Sequence, residues 1–190
     1  MNPATRDHQV ELLRSDVAAW NVLRSVSAPS VMLVDADLAG AYLAGADLSG
    51  VDLTGADLSG CTLTDVNLRG ATLTSAELVG ADLSRADLSG VRAHDANLTR
   101  AYLTRADIRA TDLTMAFLIS TYLGHANLAG ADLSGANMTG AYLGDADLTR
   151  SNLTDACLRK ANLVGAKMTA AVLDGADLTD VTLPNGTTTD

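Results

Sequence analysis

The sequence has very few aromatic residues, and this scarcity limits the kind of core that it can build. Only 3% of its 190 residues are aromatic, although 47% are hydrophobic. A globular core of this size normally fills much of its volume with large aromatic side chains. Alanine and leucine must do so here, which predicts one domain with a thin and regular core.

Cysteine and long apolar runs are also scarce. The only two cysteines, Cys61 and Cys157, lie 96 residues apart and are expected to be free thiols rather than a disulfide framework. No run of 18 apolar residues is present, so we expect no membrane-spanning segment. The N-terminal region lacks an apolar stretch after a basic start, which predicts no secretory signal and a cytoplasmic location.

Basic residues are outnumbered, with 13 Lys and Arg against 23 Asp and Glu and a net charge of −10. A protein that grips phosphate needs the opposite sign, so direct binding of nucleic acid is not expected. A basic protein partner, or a partner that normally holds nucleic acid, fits this charge better. Solubility alone is the alternative reason for the acidity.

From Val31 onward the chain repeats in fives, as in A-D-L-S-G and A-Y-L-A-G. The central position of each five, here called the centre, falls at every fifth residue from Leu33 to Leu183 without insertion or deletion. Of the 31 centres 27 are Leu, and the others are Ala93, Ile108, Met138 and Met168. Two residues before the centre, 22 of 31 positions are Ala and the rest are small.

This pattern resembles the pentapeptide-repeat family, A-(D/N)-L-X-X, over residues 31–185. In that family four pentapeptides form one square coil, in which the centre and the residue two before it point inward. The resemblance therefore implies an all-β solenoid, a right-handed quadrilateral β-helix of about seven to eight coils. A period of five fits neither an amphipathic helix nor a plain strand, and the frequent Gly after the centre suits a corner with positive φ.

Residues 1–30 do not follow the period of five. Apolar residues from Val10 to Leu23 recur at three- and four-residue steps, which predicts one amphipathic helix over roughly residues 5–25, with Pro29 beyond its end. We expect residues 1–30 to form a helical cap on the first coil, because terminal repeats need covering. The alternative is that Trp20 anchors a partner.

No arrangement of catalytic or metal-binding residues stands out. The three histidines are His8, His94 and His125, and the last two fall on different sides of the predicted coil. No H-x-x-x-H spacing is present. We therefore expect no enzyme activity, no metal and no cofactor.

Residues 20 apart should stack in one column, about 4.8 Å apart. All four tyrosines fall in a single column, and three apolar residues occupy outward positions beside it. Stacked rings that support each other across coils would explain the tyrosines but not the other three. Because exposed apolar clusters mark interfaces, we favour a partner-binding surface. Its candidate residues are Tyr102, Met115, Phe117, Ile119, Tyr122 and Tyr142.

A second column carries a ladder of acidic residues separated by amides. Its acidic members are Asp47, Asp87, Asp107 and Asp147. Some members of the family resemble duplex DNA in shape and charge and bind DNA gyrase, so this ladder is a candidate for mimicry. Over roughly 36 Å of coils the net charge is one per ~3.6 Å, against one per ~1.7 Å in duplex DNA. A belt at residues 67–110 with six bases also interrupts the acidity.

These observations favour a rigid, non-catalytic protein-binding or scaffold module, with a DNA-mimicking binder of DNA gyrase as the alternative. The gyrase-binding members favour Phe at the centre and some carry projecting loops, whereas this chain uses Leu and has no insertion.

The last coils raise the question of what covers them, because only a polar tail, predicted to be flexible over residues 186–190, follows. An uncovered end offers unpaired backbone and apolar surface, so a homodimer through Leu173, Leu178 and Leu183 is one prediction. A tail folded back as a plug and a side-by-side dimer through Phe117 are the alternatives.

Overall fold

The computed structural model describes residues 3–26, 31 and 33–190, and it begins with two helices rather than one. Helix α1 spans Pro3–Ser15 and helix α2 spans Val17–Val26. Asp16 separates them, because its carboxylate accepts the N–H of Ala19 at 2.9 Å and so caps the start of α2. The predicted stop at Pro29 lies outside the described residues.

The repeats form coils of four pentapeptides. Single bridged residues pair in parallel with the residue 20 positions further on, from Asp37 with Asp57 to Asn162 with Thr182. Each coil therefore has four faces. Face A begins at Asp37, face B at Tyr42, face C at Asp47 and face D at Asp52, and each continues at every twentieth residue.

Every amide N–H of a typical pentapeptide has an acceptor. Four of the five in residues 56–60 donate to backbone carbonyls: Ala56 to Leu53 (3.0 Å), Asp57 to Ala36 (2.9 Å), Leu58 to Glu77 (2.7 Å) and Gly60 to Val79 (2.9 Å). The fifth, that of Ser59, donates to the side chain of Asp57 at 2.9 Å. Asp or Asn before the centre thus completes the backbone hydrogen bonding, which explains its frequency in physical terms.

Each corner lies two residues after a centre and has positive φ, as at Gly45 (67°) and Gly165 (72°). Non-glycine residues adopt the same conformation, including Met115 (59°) and Ala110 (52°). An L-residue is strained there by roughly 1–2 kcal/mol. A side chain at a corner therefore comes at some cost to stability.

The core consists of the centres and the small residues two before them, as predicted, and most are fully buried. Polar residues in the small positions are satisfied locally: the hydroxyl of Thr111 donates to Leu88 O at 2.8 Å and that of Thr121 to Leu98 O at 3.0 Å. Cys61 is buried, and this desolvation raises the pKa of its thiol. Both cysteines are free.

The two helices cover the first coil. Leu13 and Trp20 are completely buried, and the Trp20 indole N–H donates to Asp47 O at 2.8 Å. The side chain of Asn21 bonds both Gly45 O (2.9 Å) and the N–H of Asp47 (2.8 Å). Trp20 is therefore part of the cap and not available as an anchor for a partner.

The C-terminal tail folds back on the last coil, as the alternative of a plug held, and the prediction of a flexible segment over residues 186–190 is wrong. Thr188 forms an antiparallel bridge with Thr182, and the N–H of Thr189 donates to Val181 O at 2.9 Å. A turn closed by the N–H of Gly186 bonding Leu183 O (2.9 Å) reverses the chain. The tail gives Val181, which is completely buried, the cover that a further coil would provide.

Candidate protein-binding surface

The six predicted surface residues occupy two adjacent faces and one corner. The three tyrosines lie on face B, Phe117 and Ile119 lie on face A, and Met115 lies at the corner before face A. All except Ile119 are exposed, and Ile119 is half-buried. The sequence placed these residues correctly on the outside, with the tyrosines in one column and the other three beside it.

Tyr102 and Tyr122 form the centre of this surface. Their rings stack with centroids 4.9 Å apart and planes inclined by 4°. Tyr102 is 47% exposed and Tyr122 46% exposed, so stacking leaves about half of each side chain open to solvent. The pair is a preformed aromatic platform whose two rings restrict each other's motion.

Tyr142 turns towards two glycines next to the platform. A Cβ added at Gly144 would lie 2.6 Å from Tyr142 Cζ, and one added at Gly124 would lie 3.0 Å from Tyr142 Cε1. Neither glycine has positive φ, so each is required for space rather than for backbone conformation. Sequence reasoning missed this pair, although Gly one after the centre, at positions where Thr or Ser is common, was a visible signal.

Phe117 and Met115 extend the apolar surface around face A. Phe117 is 42% exposed and bridges to Asn97 and Asn137, so polar residues flank it in its column. Met115 is 55% exposed, and its Cγ would lie 3.8 Å from a Cβ added at Gly135 in the next coil. The glycine leaves room for the methionine to lie along the corner.

The acidic ladder on face C is largely occupied by local bonds. Asp47 accepts from the amide and hydroxyl of Ser49 at 3.1 and 2.6 Å. Arg109 bonds both oxygens of Asp107, and this hydrogen bonding holds the pKa of that carboxyl below its usual range.

The other two acids of the ladder are held in the same way. The hydroxyl and amide of Ser89 bond Asp87 at 2.6 and 2.9 Å. Hydrogen bonds from Thr149 hold the pKa of Asp147 down, with a smaller contribution from Lys167 3.9 Å away. The ladder serves the fold, and bases on its own face offset much of its charge.

The predicted dimer end is only partly covered. Leu173, Leu178 and Leu183 are each half-buried. Leu183 donates its N–H to the tail, at Thr187 O, at 2.7 Å. Within the described residues, the N–H groups of Leu173 and Leu178 have no backbone acceptor, because no coil follows on faces D and A.

Two of the three histidines each contact one neighbouring side chain. His94 Nδ1 lies 2.7 Å from the Thr114 hydroxyl on face D, and His125 Nδ1 lies 3.8 Å from Asp145 at the corner after face B. In the part of the chain that the structure describes, no group of three or more His, Cys, Asp or Glu residues is placed to hold a metal ion. Neither described helix has the length and apolarity to cross a membrane.

The sequence and the structure of this chain both resemble those of known repeat proteins. The sequence profile described as pentapeptide repeats matches overlapping segments that together run through most of the chain: 33–70, 52–90, 67–105, 86–123, 116–155 and 146–185. No curated protein matches the chain in a sequence search.

The solved structures that resemble this chain are also pentapeptide repeat proteins. HetL, a pentapeptide repeat protein involved in heterocyst differentiation regulation from the cyanobacterium Nostoc sp. strain PCC 7120, is 30% identical, with a TM-score of 0.52 over 88% of this chain and 98% of HetL. Rfr23 from the cyanobacterium Cyanothece 51142 is 30% identical, with a TM-score of 0.51 over 58% of this chain and 86% of Rfr23.

QnrB1, a plasmid-mediated fluoroquinolone resistance protein, is 20% identical, with a TM-score of 0.51 over 81% of this chain and 79% of its own, a likeness of fold alone. These neighbours imply a right-handed quadrilateral β-helix. The profile match and the HetL likeness show that the chain belongs to the pentapeptide-repeat family.

Proposed function

We propose that this protein is a non-catalytic, cytoplasmic protein-binding module whose partner docks on face B and the adjoining part of face A. The observation that carries the proposal is the stacked pair Tyr102 and Tyr122, half exposed in the middle of a rigid rod. Large, rigid aromatic side chains contribute much of the energy of protein interfaces and lose little conformational entropy on binding. Phe117 and Met115 widen the apolar area beside them.

Affinity capture from cells that express the protein tests this proposal. We expect at least one protein to bind the wild type and to be lost from a Tyr102→Ala/Tyr122→Ala variant, because an aromatic hot spot contributes about 2 kcal/mol or more. Asp112→Asn/Asp132→Asn on the opposite face D, which keeps the side-chain acceptors for Thr114 and Ser134, is the matched control and should retain the partner. A set of captured proteins that is unchanged by the tyrosine substitutions contradicts the proposal.

DNA mimicry directed at gyrase is the weaker candidate. The net charge per unit length is about half that of duplex DNA. The acids on face C also bond to neighbouring residues, and Arg109 and Lys167 lie beside two of them. A gyrase supercoiling assay distinguishes the two candidates: inhibition, or protection from a quinolone, by the wild type would favour mimicry.

We also propose that two copies associate through the last coil. Leu173 and Leu178 are half-buried, and their N–H groups have no backbone acceptor in the described part of the chain, so they form an edge that a two-fold related copy would cover with the same patch. Sedimentation equilibrium on the wild type, Leu178→Arg and Phe117→Ser tests this model. Dissociation by Leu178→Arg alone supports the end-to-end dimer, dissociation by Phe117→Ser alone supports a side-by-side dimer, and a monomeric wild type rejects both.

A further inference from the structure

Two arginines flank the tyrosine platform, one at each corner of face B in the same coil. Arg100 lies two residues before Tyr102 and Arg105 lies three residues after it, and both side chains are exposed. Among the residues that the structure describes, no carboxylate oxygen lies within 4.0 Å of either guanidinium. Arg85, which lies one coil before Arg105 at the same corner, differs because its guanidinium bonds the Asp65 carboxylate at 2.8 and 2.6 Å.

The fold gains nothing evident from these two arginines. Arg100 has φ 60° and Arg105 φ 61°, a conformation that glycine adopts with less strain at equivalent corners such as Gly45. Arg105 also stacks between Arg85 and His125 in the corner column. Arg85 carries a like charge in the preceding coil, and like charges in neighbouring strands are destabilising. Two strained, unpaired cations beside an exposed aromatic pair indicate an external anionic group.

Charge is locally positive here although the chain as a whole carries −10. Face B and its two corners contain no acid from Arg100 through Gly144. Acids bound this area on both sides along the rod: Asp82 in the preceding coil and Asp145 at the far end. The area free of acids therefore extends over about two coil spacings, roughly 10 Å, with both arginines in its first coil, and its length matches about three residues of an extended peptide.

We infer that face B binds a short acidic peptide segment of a protein partner, with carboxylates on Arg100 and Arg105 and an apolar or aromatic side chain on Tyr102 and Tyr122. This inference rests on the proposed function and adds the chemistry of the partner. Guanidinium–carboxylate pairs give short, charge-assisted hydrogen bonds. Tyrosine rings accept a flat side chain between the two arginines.

A short acidic peptide fits better than a nucleic acid. A longer polyanion would extend past the area free of acids onto Asp82 and Asp145. A single strand typically covers about 4–16 nucleotides on a binding domain and needs a continuous basic groove. Asp82 and Asp145, at the two ends of this area of face B, would repel such a strand.

The experiment measures binding of a fluorescein-labelled random copolymer of Glu and Tyr in a 4:1 ratio by fluorescence anisotropy. We expect saturable binding to the wild type that weakens about 100-fold in Arg100→Glu/Arg105→Glu, about tenfold for each charge-assisted bond. The matched control is Arg92→Glu/Arg150→Glu, which makes the same charge change at exposed residues away from face B. Circular dichroism melts establish that both variants fold.

Three results would overturn the inference: no binding of the copolymer, equal losses in the two double variants, or tighter binding of a 20-nucleotide oligothymidylate. These experiments also distinguish a failure of the acidic ligand from a failure of the protein-binding surface. If captured partners require Tyr102 and Tyr122 but still bind Arg100→Glu/Arg105→Glu, the protein-binding surface stands and its acidic ligand is wrong. If the copolymer binds through the arginines while no partner depends on the tyrosines, the proposed function fails instead.

Discussion

Replacing Ala93 with leucine should stabilise the protein, because Ala93 is the only alanine among 31 centres and a void lies beside it. The void is lined almost entirely by aliphatic side chains of neighbouring coils, among them Leu73, Leu103 and Leu113. The void has a volume of about 10 Å³, and its largely apolar lining gives a water molecule few hydrogen-bond partners. The surrounding side chains have therefore not closed fully over the missing leucine.

The expected gain can be worked out from the structure. Leucine adds three carbon groups, each worth about 0.8 kcal/mol when buried, which sets an upper limit of about 2.4 kcal/mol. Overpacking would oppose this gain, but Leu73 and Leu113 occupy the same face D position one coil away on either side and are accommodated. We expect a net gain of about 1–2 kcal/mol, or roughly 2–8 °C in Tm for a chain of this length.

Thermal and urea unfolding followed by circular dichroism measure this change. The matched control is Ala96→Leu, which places the same side chain in a fully buried small position and should destabilise by about 1–3 kcal/mol through overpacking. A melting temperature that falls in Ala93→Leu, or that moves in the same direction in both variants, would refute the assignment of centres and small positions.

Three further predictions concern the register, the cap and pH. Leu123→Asp buries an unpaired charge in the middle of the rod and should prevent folding, whereas Asp132→Asn, on the outside, keeps the acceptor for the Ser134 N–H and should change Tm little; melts of both variants compare them. Deleting residues 1–28 removes the cover of the first coil and should cause association, visible by light scattering; an unchanged monomer would mean that the helices are dispensable. Hydrogen bonds from Ser59 hold the pKa of Asp57 below its usual value, so the stability that they provide is complete above the unfolded pKa of about 3.9 and is lost as pH falls through the lower folded pKa. Melts from about pH 5 to pH 2 should show this loss and should show less of it in Asp57→Asn, which keeps an acceptor without the titration.

The sequence predicted the coil well because one physical rule sets each position in the repeat. Leu58 and Ala56 are buried and Gly60 has positive φ, as the period required. The role of Asp57 was not predicted, because the backbone N–H that it accepts becomes identifiable only when the other four donors of the pentapeptide are assigned. Many of the acids therefore occupy positions at which the fold uses a side-chain acceptor, a role that Asn also fills, as at Asn137.

The N- and C-terminal regions were predicted less well because local bonds there override periodicity. A continuous apolar pattern predicted one helix, but the Asp16 carboxylate caps a second. The polar tail was expected to be flexible, but the N–H of Thr189 donates to Val181 O and the Thr189 hydroxyl accepts from the N–H of Val181. Composition does not reveal hydrogen bonds of this kind.

The surface was predicted only as a set of residues. Stacking columns placed Tyr102 and Tyr122 together, and their rings are stacked. The same rule failed to predict the orientation of Tyr142, because Gly124 and Gly144 leave space that the ring occupies. At the corner after face B, Arg85 pairs with Asp65 in the preceding coil, whereas the positions on either side of Arg105 hold Arg85 and His125 and so offer it no acid.

Photo-cross-linking inside cells tests the protein-binding surface most directly. A benzophenone amino acid would replace Tyr122 on face B or, as the control, Asp132 on the opposite face D. We predict a covalent adduct with another protein from position 122 and none from position 132. Equal adducts from both positions, or none from position 122 when the protein is expressed and folded, would contradict the assignment of face B as the binding surface.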